Sequence, residues 1–275
     1  MNEIATVPDQ PRVRGVDGED GGGSSADGAP GSGVPGQRRQ VVSELKFVVA
    51  AGLAASVLEW ARQRMGMTPG WRDAGVRYQV TDLHLDTARM DVFHQRDSFG
   101  RGKYSIRRYD ASERVALDRK LQKRRWRVRR RSTLALEAMA RLASAEARSG
   151  WAGYWFHRRL LLRGLGPICQ VSFDREVCEG QSGEGPIRLI VDENLRALPA
   201  AGFWFREEAG LAFAPEVVVL QLRFPRKPPV VFKELIEVFA LDPGGLSKYR
   251  RAVTALGLVR EPREGDPAKQ HLAYA

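Results

Sequence analysis

The sequence predicts an α+β fold: an antiparallel sheet curled into a β-barrel, with helices packed on the outside. Three observations predict it. Strand-length segments with period-two alternation recur between residues 41 and 224. On several of them one face is specifically ionic and the other apolar, whereas an ordinary half-buried strand is merely polar on its outer side. Helical segments fall between and after the strands, which supplies elements to cover an apolar outer face.

Residues 1–38 read as a disordered leader, rich in Gly, Ser, Pro and Asp and almost without large apolar side chains. They lack the basic and apolar regions of a secretory signal. The folded region is expected at 39–258, followed by a tail at 259–275. Residues 41–49 alternate, with Val42, Glu44, Lys46 and Val48 on one side and Leu45 and Phe47 on the other, and predict a strand. Residues 50–65 have helical composition and an apolar face of Leu53, Val57 and Leu58. Strands are predicted at 77–86, 103–109, 115–123 and 126–131. Arg124, Arg125 and Arg130 read as a hairpin turn or solvated edge. A helix is predicted at 133–147, capped by Ser132 or Thr133, and another at 151–162. Strands follow at 168–177, 187–191 and 217–224. Pro225, Pro228 and Pro229 separate the last of these from helices at 230–240 and 247–256.

The ionic strand faces are Glu44/Lys46, Lys103/Arg107, Asp118/Lys120, Arg127/Arg129/Arg131, Arg188/Asp192 and Gln221/Arg223. Two arrangements accommodate them. The charged faces point to water, or they line the lumen of a barrel. In a lumen so many like charges repel unless a polyanion fills it.

Charge narrows the partner. The chain has 44 Lys+Arg against 33 Asp+Glu, a formal charge of +11. Residues 1–40 hold six acids and four bases, whereas residues 96–131 hold fifteen bases and four acids. This balance points to nucleic acid, an acidic membrane face or phosphates. Two cysteines, Cys169 and Cys178, exclude a disulfide framework or a four-cysteine zinc site. The four histidines, His84, His94, His157 and His271, lack metal-ligand spacing, and His84 and His94 read as structural. The longest apolar stretch, 48–58, is too short to span a bilayer. A cytoplasmic chain with free thiols is the expectation.

The order of short motifs resembles the VTC-type polyphosphate polymerase domain, a member of the triphosphate tunnel metalloenzymes with a CYTH-like fold. Nine motifs carry the resemblance over about residues 40–252: SELKF at 43–47, LHLDT at 83–87 with Asp91 and Phe93, KYSIRRYD at 103–110, ALDRK at 116–120, VRRR at 128–131, FDR at 173–175, IRLIVD at 187–192, VLQLRF at 219–224 and SKY at 247–249. The resemblance implies a tunnel of antiparallel strands. In it, basic side chains hold the triphosphate of ATP, a divalent metal (Mn²⁺ or Mg²⁺) assists, and the terminal phosphoryl group passes to polyphosphate. Carried over by position, the phosphate binders are Lys46, Lys103, Arg107, Lys120, Arg129, Arg175, Arg188 and Lys248, with Lys46, Arg107 and Lys120 nearest the chemistry. Phosphoryl transfer depends on positioning and charge neutralisation, which these residue types supply.

Three positions depart from the resembled pattern. Ser105 stands where the first arginine of Arg-x-Arg is expected, Asp118 where a glutamate is, and Gln221 at the expected metal-ligand position. Glu44, Asp118 and Asp192 remain as candidate metal ligands. The departures keep open a polyphosphate or inositol-phosphate binding domain with impaired catalysis, as well as a tripolyphosphate hydrolase. A nucleic-acid binder is a third class, but no helix-turn-helix, RRM or finger pattern accompanies the basic residues. The expected partners are ATP, polyphosphate or another triphosphate, with no nucleic acid, no transmembrane segment, and room for a membrane-bound partner.

Overall fold

A computed structural model of the chain describes residues 43–65, 76–100, 102–123 and 126–259. The expected leader at 1–38, Arg124 and Arg125, and the expected tail apart from Val259 lie outside the described residues.

The strands are β1 (Ser43–Ala50), β2 (Val76–Asp86), β3 (Lys103–Tyr109), β4 (Arg114–Lys123), β5 (Trp126–Ala135), β6 (Gly166–Ser182), β7 (Gly185–Pro199), β8 (Leu211–Ala212) and β9 (Val217–Phe224). The helices are α1 (Ala51–Met65), α2 (Tyr154–Arg163), α3 (Val230–Val238) and α4 (Lys248–Ala255). All strand pairs are antiparallel. The sheet runs in the order β1-β9-β7-β6-β2-β3-β4-β5, with β8 beside β7. Among the described residues β1 and β5, the two ends of this path, do not pair with each other, so the hydrogen-bonded ladder stays open.

The sheet nevertheless curls. Arg223 on β9 feels the charges of Arg129 on β5 and Arg107 on β3. Six strand spacings separate β9 from β5, roughly 29 Å in a flat sheet at about 4.8 Å each. Only a strongly curled sheet brings those side chains into mutual range.

The convex side is apolar and carries helices. Phe47, Leu189, Leu220, Leu222 and Phe224 pack against Ala54, Val57 and Ala61 of α1 and Phe232 and Leu235 of α3. Around β2–β4 and β6 a second cluster joins Leu83, Ile106 and Leu117 to Met139, Leu142, Phe156 and Leu160. Helix α4 differs. Its Tyr249 ring lies 5.1 Å from the His84 ring, and the Tyr249 hydroxyl donates to Asp86 at 2.6 Å. His84 and Asp86 belong to the same face of β2 as Asp82, so α4 covers the apolar end of the concave side.

The helix expected at 133–147 is not formed. Strand β5 continues to Ala135, and 3-10 turns occupy Leu136–Ala143. Residues 132–135 pair with β4, and the Leu136 N–H donates to the Glu113 carbonyl at 2.7 Å. These bonds, with burial of Leu134, Met139 and Leu142, outweigh helix propensities of a few tenths of a kcal/mol per residue. The expected cap Ser132 instead accepts from the Trp155 indole at 3.0 Å. Arg130, expected at a turn or solvated edge, lies over the Trp155 ring at 4.5 Å. Strand β6 runs past its predicted end because the Glu179–Arg188 pairing extends the hairpin through polar residues, and β7 runs on to Pro199 because its residues 196–199 pair with Ser172–Cys169 of β6. No helix among the described residues is long and apolar enough to cross a membrane.

Leu220 is fully buried on β9, between β1 and β7. Leu220→Ala is expected to lower the unfolding free energy by about 2–5 kcal/mol. Urea denaturation should show a lower midpoint at unchanged slope.

Candidate functional site

Strand register carries one continuous ionic surface across the concave side. Lys46 faces Gln221 across the β1–β9 ladder, and Glu44 faces Arg223. Arg188 opposes Arg223 between β7 and β9. Arg175 opposes both Asp192 on β7 and Tyr78 on β2. Asp82 opposes Arg107, Lys103 opposes Lys120, Ser105 opposes Asp118, and Asp118 and Lys120 oppose Arg131 and Arg129. Lys248 enters from the first turn of α4 and bonds Asp192 at 2.7 Å. The eight predicted phosphate binders therefore share one face.

The carboxylates on this face are held by cations. Asp82 accepts Arg107 Nε at 2.7 Å and Nη2 at 2.6 Å. Asp192, with no exposed surface, accepts Arg175 Nε at 2.6 Å and Nη2 at 2.8 Å. Asp118 accepts two guanidinium groups at once, from Arg129 and Arg131, at 2.6–2.9 Å. Glu44 pairs with Lys46 at 2.9 Å and with Arg223 at 3.2 Å. Such bidentate, charge-assisted pairs fix guanidinium orientation as well as charge. Arg188 is paired with Glu179 at 2.7 Å toward the hairpin end of the same face.

Titration behaviour follows from this geometry. Burial alone would raise the carboxyls of Asp82, Asp118 and Asp192. The guanidinium and ammonium groups bonded to them hold all three well below the usual carboxylate range. The lysines also shift downward, which for an ammonium group favours the neutral form. Enclosure by protein, then the repulsion of Arg107 and Arg129, pushes Lys120 well below its ordinary value. Lys103 is open to water but ringed by protein; desolvation, then Lys46 and Lys248, lower it to about 8. Neither Lys103 nor Lys120 has a carboxylate within ion-pair distance among the described residues. Desolvation, with the repulsion of Lys103, Arg107 and Lys120, outweighs the pull of Asp82 and lowers half-buried His84 to about 4, so it stays neutral at pH 7.

A divalent ion finds no ready donor set here. The expected ligands Glu44, Asp118 and Asp192 stand on β1, β4 and β7, and each is already occupied by Arg or Lys. Among the described residues no three His, Cys, Asp or Glu side chains gather as a metal site. Gln221 stands beside Asp192 and donates to it at 2.8 Å.

Sequence reasoning passed over Asp82, although the alternation Tyr78, Val80, Asp82, His84 places it on the ionic face. Arg131 and Arg223 were legible as ionic-face residues, but their partners required the register. Asp86 was missed as an organiser. Buried, it accepts the N–H groups of Thr87, Val92 and Phe93 at 2.7–2.8 Å and shapes the loop after β2.

A family model described as VTC domain matches residues 41–257. Among solved structures, a candidate adenylate cyclase from Bacillus halodurans is 14% identical, with a TM-score of 0.46, covering 76% of this chain and 94% of that one. A candidate adenylyl cyclase from Hippeastrum, described as having a dominant triphosphatase activity, is 16% identical, with a TM-score of 0.42, covering 78% and 95%. Comparison with curated protein sequences returned no match.

Removing Asp82 strands the buried Arg107 guanidinium, so Asp82→Ala is expected to cost about 3–5 kcal/mol in urea denaturation at pH 7. The three depressed carboxylates contribute stability that is complete above the unfolded pKa near 3.9 and is lost as pH falls toward their folded values. Stability of the unmodified chain should therefore drop steeply below about pH 4, and Asp82→Ala should flatten that drop.

Proposed function

The chain belongs to the VTC domain family, and from that premise we propose that its concave face binds a linear phosphate chain. The chain would be inorganic tripolyphosphate, longer polyphosphate, or the triphosphate tail of a nucleotide such as ATP. One observation carries the reading: bases outnumber acids on the face, and Lys103 and Lys120 lie among Arg107, Arg129, Lys46 and Lys248 without a carboxylate of their own. Repulsion among them is relieved by an anion that spans several strands. A phosphate chain has that length and charge density. Arg107, Arg129 and Arg175, held by Asp82, Asp118 and Asp192, would present their remaining N–H groups in fixed directions. Lys46, Arg188 and Lys248, each paired with a carboxylate, and Lys103 and Lys120 would supply further positive charge along the chain.

Phosphoryl transfer from ATP to polyphosphate is the second reading. It is favoured by the arrival of all the motif-derived bases on one surface, since that reaction needs charge and alignment around the transferred group. Lys46, Arg107 and Lys120 would be the residues nearest the reacting phosphate. Hydrolysis of tripolyphosphate would use the same contacts with water as acceptor. Any divalent ion would arrive on the substrate, since the face offers no free carboxylate cluster for one.

Calorimetric titration of sodium tripolyphosphate into the full chain should show one site, weakened by salt. Lys120→Met should lose roughly 10-fold or more in affinity, the equivalent of one charge-assisted hydrogen bond. Because Lys103 binds phosphate only when protonated and titrates near 8, affinity should fall between pH 7 and 9, and Lys103→Arg should remove part of that fall. Duplex DNA binding that tripolyphosphate does not compete would overturn the reading. Incubation with ATP and separate Mg²⁺ and Mn²⁺ series, with polyphosphate, ADP and phosphate read together, distinguishes transfer, hydrolysis and binding alone.

A further inference from the structure

Asp192 accepts from three different residues on the concave face. Its two oxygens take Arg175 Nε at 2.6 Å, Arg175 Nη2 at 2.8 Å, Lys248 Nζ at 2.7 Å and Gln221 Nε2 at 2.8 Å. Gln221 turns its other end to Arg223, accepting Nη2 at 3.2 Å. The amide orientation is set by chemistry, because a carboxylate only accepts and a guanidinium only donates. Gln221 is thus a neutral bridge from a buried carboxylate to a half-buried guanidinium. A glutamate in its place would put a carboxylate oxygen where an amide nitrogen now stands, 2.8 Å from Asp192 Oδ2. Two carboxylates that close require a shared proton or cation. With glutamine they require neither, and Arg175, Lys248 and Arg223 supply the positive charge.

We infer that the face is built for the metal-free form of its phosphate chain, and that Gln221 sets this preference. The inference rests on the phosphate-binding reading above. A chain complexed by Mg²⁺ presents fewer free oxygens and less negative charge to Arg175, Arg223, Lys248 and their neighbours. Those side chains are already oriented by Asp192 and Glu44, so the metal adds nothing that the protein lacks. The divalent ion acts as a competitor for the ligand.

Two measurements on the full chain test this. In calorimetry, sodium tripolyphosphate should bind more tightly in EDTA than in excess Mg²⁺, by roughly 10-fold or more, the worth of one lost charge-assisted contact. In a titration with Mn²⁺ alone, read by the resonance signal of the free ion, the unmodified chain should leave the metal free, whereas Gln221→Glu should take up Mn²⁺. Tighter tripolyphosphate binding with Mg²⁺, stoichiometric Mn²⁺ uptake by the unmodified chain, or a folded Gln221→Glu that takes up none, would each overturn the inference. If circular dichroism shows Gln221→Glu unfolded, the two measurements on the unmodified chain still decide. Absence of tripolyphosphate binding in either buffer would remove the phosphate-binding reading instead, and Mn²⁺ uptake would still answer for Gln221.

Discussion

The pairing of buried carboxylates with guanidinium groups on the concave face is the constraint on which the rest of this structure depends. Arg107 with Asp82, Arg175 with Asp192, and Arg129 and Arg131 with Asp118 each join neighbouring strands. A surface carrying so many bases could not stay curled if each were isolated, since enclosing a charge away from water costs several kcal/mol. Pairing removes most of that cost. It also locks the side chains in one geometry, so the strands that bear them are tied by side chains as well as by backbone ladders.

The convex side meets a different requirement. Curling exposes an apolar outer surface, and α1, α3, α2 and the 3-10 turns at Leu136–Ala143 cover it. Helix α4 is the exception that links the two sides. Its Tyr249, Ala252 and Val253 bury the apolar end of the concave face, while Lys248, one residue before Tyr249, reaches Asp192 in the ionic part. A single helix start therefore sets the boundary between core and site. The Asp86 bond to Tyr249 fixes it in place.

Much of this was legible in the sequence because period-two alternation is a local signal. Glu44/Lys46, Lys103/Arg107 and Gln221/Arg223 declare their shared faces without knowledge of the partner strand. What alternation cannot declare is register. Nothing in residues 115–131 says that Asp118 bonds both Arg129 and Arg131, which depends on the offset between β4 and β5. Nor could it reveal that Asp192 is held by a residue 56 positions away on α4. The mistaken helix at 133–147 has the same origin. Its Ala, Leu, Glu and Met residues favour a helix locally, but the β4 edge offers ladder bonds that local propensity does not see. That Glu44, Asp118 and Asp192 are paired with Arg and Lys was hidden from the sequence for a related reason. A sequence gives the residue type, while the availability of a carboxylate depends on what has already bonded to it.

The same pairing explains how a basic face can be both stable and ready for an anion. If every base had its own carboxylate, the face would be neutral and would have no reason to bind phosphate. If none did, the sheet would be driven apart. The structure lies between these limits. Arg107, Arg129 and Arg175 are anchored and oriented, while Lys103 and Lys120 have no carboxylate within ion-pair distance among the described residues and are held below their usual pKa by desolvation and then by neighbouring bases. Those two lysines meet the repulsion of the neighbouring bases. An anion that reaches them relieves it, which raises their proton affinity and draws the chain toward side chains whose positions are already fixed. Little side-chain entropy is then lost on binding at the arginines, and the gain is concentrated at the lysines. On the proposed reading, the cost of keeping the face charged and an affinity for a polyanion would be two consequences of one arrangement.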